Sequence, residues 1–468
     1  MTILHYIFIG LEVVLMFNLL IGVHELGHFL AAKWRGLKID RFAIWFGKPV
    51  WKTKVGGVEY ALGWIPAGGY VALPQMAAMD IIEGKTDAPA EKLPNVSALD
   101  KIIVALAGPL FSFLLALVFA LVVTIVGRPM SEADTTTTIG YVIKGGPAAR
   151  AGLQAGDRII SIDGKPVTKF GGMGDSVMWR IVASENPQIN VEVERDGQTR
   201  DFLVTPTNEP TTIWERKSLR EIDVYPAESA LIGEVFSNSP ADRAGLKAGD
   251  DITGVGGHPI YYYGAVTDYV ESHTNQNIPL QIERDGKSLA FSIRPENPLT
   301  PTNSPPMLGI IWNGAGKISI SHPGALEQVN ASLNAVFETV GAVISPKTQI
   351  KAQDLSGAVM ILSIYYRLFS APHGWQLVLW FSVVLNVNLA LLNMLPIPVL
   401  DGGHIMLAII ESVRRKPNNA RVLNAIQNAC AVLVIGFMLY IAFFDTGDLI
   451  RSSRADHEQP VIFAPGAK

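Results

Sequence analysis

The sequence predicts a polytopic α-helical membrane protein with about four transmembrane helices, a small β-sheet and two consecutive β-rich domains of one fold. The 468-residue chain is 49% hydrophobic and only 17% charged, and its apolar residues gather in four long segments. Roughly 20 apolar residues are needed to cross a bilayer as a helix. The two β-rich domains are predicted by a block of sequence that occurs twice between residues 135 and 296.

The four apolar segments are Ile3–Ala32, Ile102–Val126, Gln376–Ile410 and Val422–Phe444. The first has no basic start, is too long for a signal peptide and is followed by no small-residue cleavage site, so we expect a retained helix. The formal net charge of −4 gives no indication of nucleic acid as a partner. A single cysteine, Cys430, excludes an internal disulfide.

Basic residues predict the orientation of these helices. The loop after the first segment is rich in Lys and Arg between Lys33 and Lys54, and the turn before the last segment is basic between Arg414 and Arg421. With four crossings both loops lie on one side, and the excess of positive charge assigns that side to the cytoplasm. Both termini and residues 128–375 are then expected outside.

Residues 36–75 have the pattern of short strands separated by glycine pairs. The predicted strands are Phe42–Phe46, Val50–Lys54, Val58–Leu62 and Tyr70–Leu73. The polar residues 76–98 that follow are expected to form a mobile loop.

The repeated block has a constant offset of 93 residues over its first half. Ile139–Val142 matches Ile232–Val235, and Ala151–Asp157 matches Ala244–Asp250. Two domains of the same fold are therefore predicted, mostly of strands with a helix or two.

Each copy also contains an Arg-Asp-Gly sequence, at Arg195–Gly197 and Arg284–Gly286, which predicts a strand pair around an Asp-Gly turn. The pattern Pro-Ala-x-x-Ala-Gly-Leu-x-x-Gly-Asp makes each copy resemble a PDZ domain of the bacterial type. The resemblance implies a β-rich α+β fold that binds peptide C-termini by strand addition. A rigid spacer or steric filter without a bound peptide is the alternative.

Residues 318–374 are mixed in composition, and Ala325–Ile344 has helical periodicity. Two interpretations stay open for this helix. It could lie on the membrane surface as an amphipathic helix, or it could be a connector packed on the two repeated domains.

The sequence His24-Glu25-Leu26-Gly27-His28 lies within the first apolar segment. A spacing of four residues places both imidazoles on one helix face, where they can share a zinc ion. Glu25 lies beside them and can accept a proton from water. Ionisable residues in an apolar helix are costly unless they are paired or bind a metal, which favours a metal site over polar residues that only satisfy one another.

A catalytic zinc site needs a third protein ligand, which we expect from another membrane helix. Asp401 is the candidate, because it lies ten residues before Glu411 as His24 lies nine residues before Lys33. At about 1.5 Å of rise per residue, both sites then lie at the same depth. His404 is the alternative ligand.

Pro396, Pro398 and the pair Gly402-Gly403 are expected to break the third helix near this ligand. Asn393 could bind a developing oxyanion or the substrate backbone, and a hydrogen bond between helices is the alternative. Glu12 lies about 18 Å from His24 along the helix axis and is not assigned to the site.

His-Glu-x-x-His in a first membrane helix, combined with Asn393-x-x-Pro-x-Pro-x-Leu-Asp401-Gly-Gly in a later one, resembles the site-2 protease family of intramembrane zinc metalloproteases. The resemblance spans nearly the whole chain, and two PDZ copies between the second and third helices place it in a bacterial inner-membrane branch. It implies Zn²⁺ as cofactor, His24, His28 and Asp401 as its ligands, and Glu25 as general base.

The resemblance also implies a membrane-associated sheet, whose edge at Gly68, Gly69, Tyr70 and Val71 pairs with an unwound substrate. The implied function is hydrolysis within the transmembrane segment of single-pass proteins in the lipid bilayer. For this branch the implied substrates are an anti-sigma factor already cut outside and remnant signal peptides, in the envelope stress response. The PDZ pair is implied to face the periplasm and to exclude untrimmed substrates, while the active site lies toward the cytoplasm.

Three positions depart from the family pattern: Ser112 where the family has Asn, Ala358 where it has Pro, and the carboxylate Glu12. Two other functions compete with proteolysis. A zinc-binding membrane peptide receptor or chaperone explains the metal and the PDZ copies but not Glu25. A metal transporter explains intramembrane His and Asp, but the chain shows no repeated membrane halves.

The sequence predicts nine segments along the chain. They are a first transmembrane helix with the zinc motif (1–34), the sheet (36–75), the loop (76–98), a second transmembrane helix (99–127), two PDZ domains (135–207 and 228–296), the amphipathic or connector segment (318–374), a third transmembrane helix with the third ligand (375–410) and a fourth (422–446).

Overall fold

A computed structural model describes residues 3–76, 96–212, 214–415, 420–455 and 460–464. Most of the predicted mobile loop, residues 77–95, lies outside the described residues. The chain divides into two compact units. We call them the helical unit (Met1–Arg128, His322–Phe337 and Leu355–Thr446) and the repeat unit (Pro129–Ser321, Glu338–Asp354 and Gly447–Lys468).

The helical unit begins with a long helix, a four-stranded sheet and a second long helix. These elements are α1 (Ile3–Trp34), β1 (Arg41–Phe46), β2 (Trp51–Val55), β3 (Val58–Leu62), β4 (Ile65–Ala72) and α2 (Ala98–Val126). The strand order is β2-β3-β1-β4, so β4 is an end strand, antiparallel to β1. Phe29 of α1, Val71 of β4, Leu73 just after β4 and Val104 of α2 share one buried core.

The prediction for the last strand was wrong, because β4 begins at Ile65 and not at Tyr70. Pro66 and the pair Gly68-Gly69 are typical strand breakers. They are tolerated here because β4 lies at the edge of the sheet, where a proline does not interrupt a ladder on both sides.

The repeat unit contains two copies of one element order, a strand, a short helix, two strands, a helix, a hairpin and a final strand. β5 (Arg128–Met130) precedes the first copy and β18 (Ser319–Ser321) follows the second. The first copy has β6 (Ile139–Val142), α3 (Pro147–Ala151), β7 (Arg158–Ile162), β8 (Lys165–Pro166), α4 (Val177–Val182), β9 (Ile189–Arg195), β10 (Gln198–Val204) and β11 (Val224–Pro226). The second has β12 (Ala230–Val235), α5 (Pro240–Ala244), β13 (Asp251–Val255), β14 (His258–Pro259), α6 (Tyr263–Ser272), β15 (Ile278–Arg284), β16 (Lys287–Ile293) and β17 (Ile310–Trp312).

The predicted Asp-Gly hairpins are confirmed in both copies. Asp196, Gly197, Asp285 and Gly286 have φ between 51° and 74°. Positive φ at both central residues gives the turn whose twist matches that of the flanking strands. β9 pairs with β10 around the first turn, and β15 pairs with β16 around the second.

The predicted ends of the two domains, at residues 207 and 296, were too early. β11 pairs with β6, and β17 pairs with β12, so that each copy is completed by a strand from farther along the chain. Each of these strands has only three residues, too few for an alternating pattern, and its conformation depends on the strand it pairs with.

The rest of the chain is helical. Its helices are α7 (Ala325–Ile344), α8 (Ala358–Ser370), α9 (Gly374–Asn393), α10 (Asp401–Arg414) and α11 (Ala420–Ala455), and 3₁₀ turns occur at Pro74–Met76, Glu132–Asp134 and Ala352–Asp354. The helix predicted at Ala325–Ile344 is confirmed with the same bounds.

Four helical segments of the described chain are long and apolar enough to cross a membrane: Leu4–Trp34, Ala98–Val126, Gly374–Asn393 and Ala425–Ser452. Together with the sheets, they fit a polytopic membrane protein with a β-rich region. The last helix extends beyond the predicted Phe444 to Ala455, and Arg451 pairs with Asp448 within this extension.

The third apolar segment, predicted as one span over residues 375–410, forms two helices. Residues 394–400, with Pro396 and Pro398, separate α9 from α10. The glycine pair was wrongly predicted to break the helix, because Gly402 and Gly403 lie in the first turn of α10. A Cβ added at these glycines would lie 2.2 Å from the carbonyl oxygen of Met394 and 2.1 Å from that of Ile397. The two glycines therefore allow the backbone of Met394 and Ile397 to pass close to the first turn of α10.

Candidate metal centre and active site

α1 places His24 and His28 side by side. Their Nε2 atoms are 3.3 Å apart, and the side chains are nearly fully buried. The neighbouring α2 approaches closely because it presents glycine to the two rings. A Cβ added at Gly108 would lie 2.2 Å from His28 Nε2 and 2.8 Å from His24 Nε2.

Asp401, the first residue of α10, completes the cluster. Its Oδ2 lies 3.3 Å from His24 Nε2, and its Oδ1 lies 3.4 Å from His28 Nε2. Among the described residues, these three form the one group of His, Cys, Asp or Glu whose ligand atoms all lie within 4.8 Å of one another. His404, the alternative third ligand, does not belong to the group.

The spacing of the donors fits a zinc ion. Two ligand atoms at tetrahedral angles, each about 2.0–2.1 Å from zinc, lie about 3.3–3.4 Å apart. The Nε2–Nε2 distance of 3.3 Å has this length, and so do the distances from the two Nε2 atoms to the Asp401 carboxylate, one to each oxygen. Two imidazole nitrogens and one carboxylate oxygen are a donor set that zinc accepts. Asp401 Oδ2 is buried and has no hydrogen-bond partner in the part of the chain that is described, which is costly without a cation.

Both imidazoles are oriented through their other nitrogen. His28 Nδ1 lies 2.8 Å from the carbonyl oxygen of Val104. Since a carbonyl can only accept, Nδ1 carries the proton, and Nε2 presents its lone pair to the cluster when the ring is neutral. His24 Nδ1 lies 3.0 Å from the hydroxyl oxygen of the fully buried Ser112.

The contact of Ser112 with His24 was not predicted from the sequence, in which Ser112 stands out only as a departure from a family pattern. Ser112 and Gly108 are four residues apart and therefore on one face of α2. This spacing indicates a common face of α2, but it does not indicate which helix packs against that face.

Glu25 follows His24 in α1 and is half-buried. A Cβ added at Gly69 would lie 3.2 Å from Glu25 Cγ and 3.6 Å from Ile21 Cγ2. β4 therefore passes directly beside Glu25, next to the metal ligands.

The predicted substrate edge lies on this strand. Gly69, Tyr70 and Val71 pair with β1 on one side, and β4 has no neighbour on its other side in the four-stranded sheet. The Tyr70 and Val71 side chains are buried, so these residues offer an extended peptide their backbone. Gly68 has φ +76°, and a Cβ there would lie 2.0 Å from the Phe46 ring.

Asn393 is the last residue of α9 and lies beside His24 of the metal-ligand cluster. Its Nδ2 lies 3.4 Å from His24 Nε2. The position is compatible with a contact to substrate and with a hydrogen bond between helices, so both interpretations of Asn393 stay open.

Comparison with known proteins gives a match over most of the chain. The model of peptidase family M50 matches residues 12–437. The protease RseP of Yersinia pestis is 27% identical over 91% of this chain and 96% of its own length. The regulator of sigma-E protease RseP of Escherichia coli strain K12 is 28% identical over the same shares. A Neisseria meningitidis protein with the provisional name of zinc metalloprotease is 29% identical, again over 91% and 96%.

Proposed function

This chain belongs to peptidase family M50, the zinc metalloproteases of the site-2 type, and from this premise we propose that it hydrolyses peptide bonds within the transmembrane segment of single-pass membrane proteins. The observation that carries the proposal is the buried cluster of His24, His28 and Asp401, with Glu25 beside it, among helices of membrane-spanning length. A peptide bond can be cut there only if the substrate enters the same apolar layer.

In the proposed mechanism His24, His28 and Asp401 hold zinc. When bound, zinc supplies Lewis-acid chemistry, which polarises a carbonyl and makes water a nucleophile at neutral pH. Glu25 accepts the proton of the attacking water and delivers it to the leaving amine. Ser112 and the carbonyl of Val104 keep the two imidazoles in position for this step.

The free edge of β4 is proposed to bind the substrate. A transmembrane helix has no accessible carbonyl until it unwinds, and an added strand replaces the hydrogen bonds that unwinding removes. The approach of Gly69 to Glu25 supports this arrangement, because a strand paired with residues Gly68–Val71 would pass close to the proposed base. Asn393 is proposed to contact the backbone of that substrate or its developing oxyanion.

The names of the relatives support a more specific role. Two of them are named RseP, and one name gives sigma-E as the regulated target. We therefore propose an anti-sigma factor and remnant signal peptides as substrates, cut in response to envelope stress. The two repeated domains are proposed to be PDZ domains that exclude untrimmed substrates.

The four helices of membrane-spanning length support an integral membrane protein, and we propose the bacterial inner membrane as its location. We propose that both termini and the repeated domains face the periplasm. The basic residues that follow α1 and α10 support this orientation.

The test is cleavage of a tagged single-helix substrate by the purified chain in detergent. Glu25→Gln is expected to lower the rate by about 10²–10⁴-fold, because an amide cannot accept the proton. A chelator is expected to abolish cleavage. The matched control is Glu12→Gln, which removes a carboxylate from the same helix about 18 Å away and should keep the rate.

Full activity of Glu25→Gln would exclude the role proposed for this residue. Tight binding of the peptide with zinc present and no cleavage would favour the alternative function, a zinc-binding membrane peptide receptor or chaperone.

A further inference from the structure

A short segment near the C-terminus, Pro460–Ala464, lies against the second repeat. Ile462 forms an antiparallel bridge with Thr300. The amide of Leu299 donates to the carbonyl of Ile462 at 2.7 Å, and the amide of Ile462 donates to the carbonyl of Thr300 at 3.0 Å. The segment thus joins the repeat as an added extended strand, which is how many domains bind peptides.

One side chain anchors this segment. Phe463 is 2% exposed, whereas its neighbour Ile462 is 50% exposed. Pro460 and Ala464 are exposed as well. Backbone pairing at one residue, with a buried aromatic ring at the next, is the pattern of a bound peptide with a single specificity pocket.

The pocket depends on a glycine. Gly309 has φ +81°, and a Cβ added there would lie 2.9 Å from Phe463 Cε2 and 2.3 Å from Ser239 Cβ. A side chain at position 309 would therefore need the space that the Phe463 ring and Ser239 occupy.

The first repeat provides an internal comparison. There the amide of Ile143 donates to the carbonyl of Asp223, as the amide of Phe236 donates to the carbonyl of Gly309 in the second repeat. Asp223 and Gly309 are thus equivalent positions, and both have positive φ.

In each repeat one of two contacting positions is a glycine, but the glycine is at a different position in the two repeats. In the first, Asp223 fills the space beside Gly146, where an added Cβ would lie 2.7 Å from Asp223 Oδ2. In the second, the bulkier residue of the pair is Ser239, and Gly309 leaves room for Phe463. The pocket is a property of the second repeat.

The second repeat does not need this segment to complete its own core. Its core cluster consists of residues between Ala230 and Leu308, together with partly buried Ile310 and Trp312, and Phe463 is not a member. We therefore expect a repeat without the segment to keep this core.

We propose that the second repeat has a binding site for an extended peptide with one aromatic anchor residue, and that the chain's own C-terminal segment occupies it. The ligand contributes backbone hydrogen bonds to Leu299 and Thr300 and inserts its ring beside Gly309. This inference does not depend on proteolysis or on zinc.

The test uses a fluorescein-labelled peptide of residues 459–468 and the purified chain truncated after Ala455, with binding followed by fluorescence polarisation. The truncated chain is expected to bind the peptide. The full chain is expected to bind it at least about tenfold more weakly, because a tethered segment competes at an effective concentration near the millimolar range. Failure of the folded truncated chain to bind the peptide would overturn the proposal.

Two peptide variants separate the anchor from its neighbour. The peptide with Phe463→Ala is expected to lose binding by at least about tenfold, since the buried ring is removed. The peptide with Ile462→Ala should bind almost unchanged, because that side chain is exposed. Equal losses for both peptides would contradict an aromatic pocket.

A protein variant closes the pocket by copying the first repeat. Gly309→Asp with Ser239→Gly introduces the pair found at Asp223 and Gly146. Asp tolerates positive φ, and Gly is an adequate helix N-cap, so the repeat should remain folded. The truncated chain with this double substitution is expected to bind no peptide. Undiminished binding would place the peptide elsewhere.

Hydrogen exchange of the full chain tests the contact without any truncation. In Phe463→Ala the amide of Leu299 is expected to exchange at least about tenfold faster, because its acceptor at Ile462 is released. In Ile462→Ala the exchange should remain close to that of the unaltered chain. Unchanged protection in Phe463→Ala would also overturn the proposal.

Discussion

His24 Nδ1 lies 3.0 Å from the hydroxyl oxygen of Ser112, which is fully buried between α1 and α2. The contact fixes the orientation of the ring whose other nitrogen faces Asp401 and His28. Burial of the Ser112 hydroxyl removes its hydrogen bonds to water, and the hydrogen bond to the imidazole offsets this desolvation penalty.

Ser112→Ala is expected to weaken zinc binding by about 10–100-fold, the usual effect of removing a partner that orients a metal-binding histidine. Ser112→Asn should retain most of the affinity, because an amide can replace the hydroxyl as a hydrogen-bonding partner of Nδ1. Competition with a zinc indicator measures both affinities. The control is Ser332→Ala, a buried serine of α7 that bonds to the carbonyl of Gln328. Equal zinc affinity of Ser112→Ala and the unaltered chain would show that the contact does not support the ligand.

Gly108→Ala is expected to lose bound zinc and proteolysis together. The added Cβ would lie 2.2 Å from His28 Nε2, so one ligand must leave its position. Metal analysis of the purified variant measures the loss. Gly10→Ala in α1 is the control, since nothing lies within 4 Å of its added Cβ, and alanine favours a helix over glycine by about 1 kcal/mol. Full zinc content in a folded Gly108→Ala protein would contradict the close approach of α2.

Much of this centre could be predicted because its signals are local. The spacing of His24 and His28 fixes a common helix face, and the depths of His24 and Asp401 follow from helix rise. The structure brings these three residues together, and their role as zinc ligands stays a prediction. Ser112 and Gly108 could not be assigned in the same way, because their contacts depend on which face of α2 packs against α1.

The fold was predicted where a pattern is long and was missed where an element is short. The repeated Asp-Gly hairpins and α7 have strong local signals, and they occur as expected. β11 and β17 have three residues each, and pairing with a distant strand determines them. The docking of Phe463 in the second repeat could not be predicted for the same reason, because the contact of Phe463 with Gly309 joins residues far apart in the sequence.

Two substitutions separate the candidates for the third zinc ligand. Asp401→Asn is expected to lower the zinc content sharply, because a neutral amide replaces a carboxylate within 3.4 Å of both histidines. His404→Ala should leave the zinc content unchanged, because His404 lies outside the cluster. Metal analysis after dialysis against a weak chelator measures both. Loss of zinc in His404→Ala alone would reassign the ligand.

The last prediction concerns the stability of the second repeat. The Asp250 carboxylate is 1% exposed and accepts hydrogen bonds from Arg284 Nε at 2.6 Å and Nη2 at 2.7 Å. Burial acts to raise the pKa of Asp250, but the hydrogen bonds from Arg284 and from the Lys247 amide, together with the positive charges of these two residues, hold this pKa below its usual value. A carboxyl with a lowered pKa in the folded state stabilises the fold above its unfolded-state pKa, so this stabilisation is lost as the pH falls below about 4.

Arg284→Met is expected to destabilise the second repeat at neutral pH, because it leaves a buried carboxylate without its partner. Hydrogen exchange of the β13 and β15 amides measures the effect. The loss should shrink as the pH falls toward 4, where protonation of Asp250 removes the uncompensated charge. Arg195→Met is the matched variant, since Arg195 and Asp157 repeat this geometry in the first copy, and its effect should be confined to β7 and β9. A loss that does not depend on pH would mean that Arg284 acts through packing over Phe291 instead of through its charge.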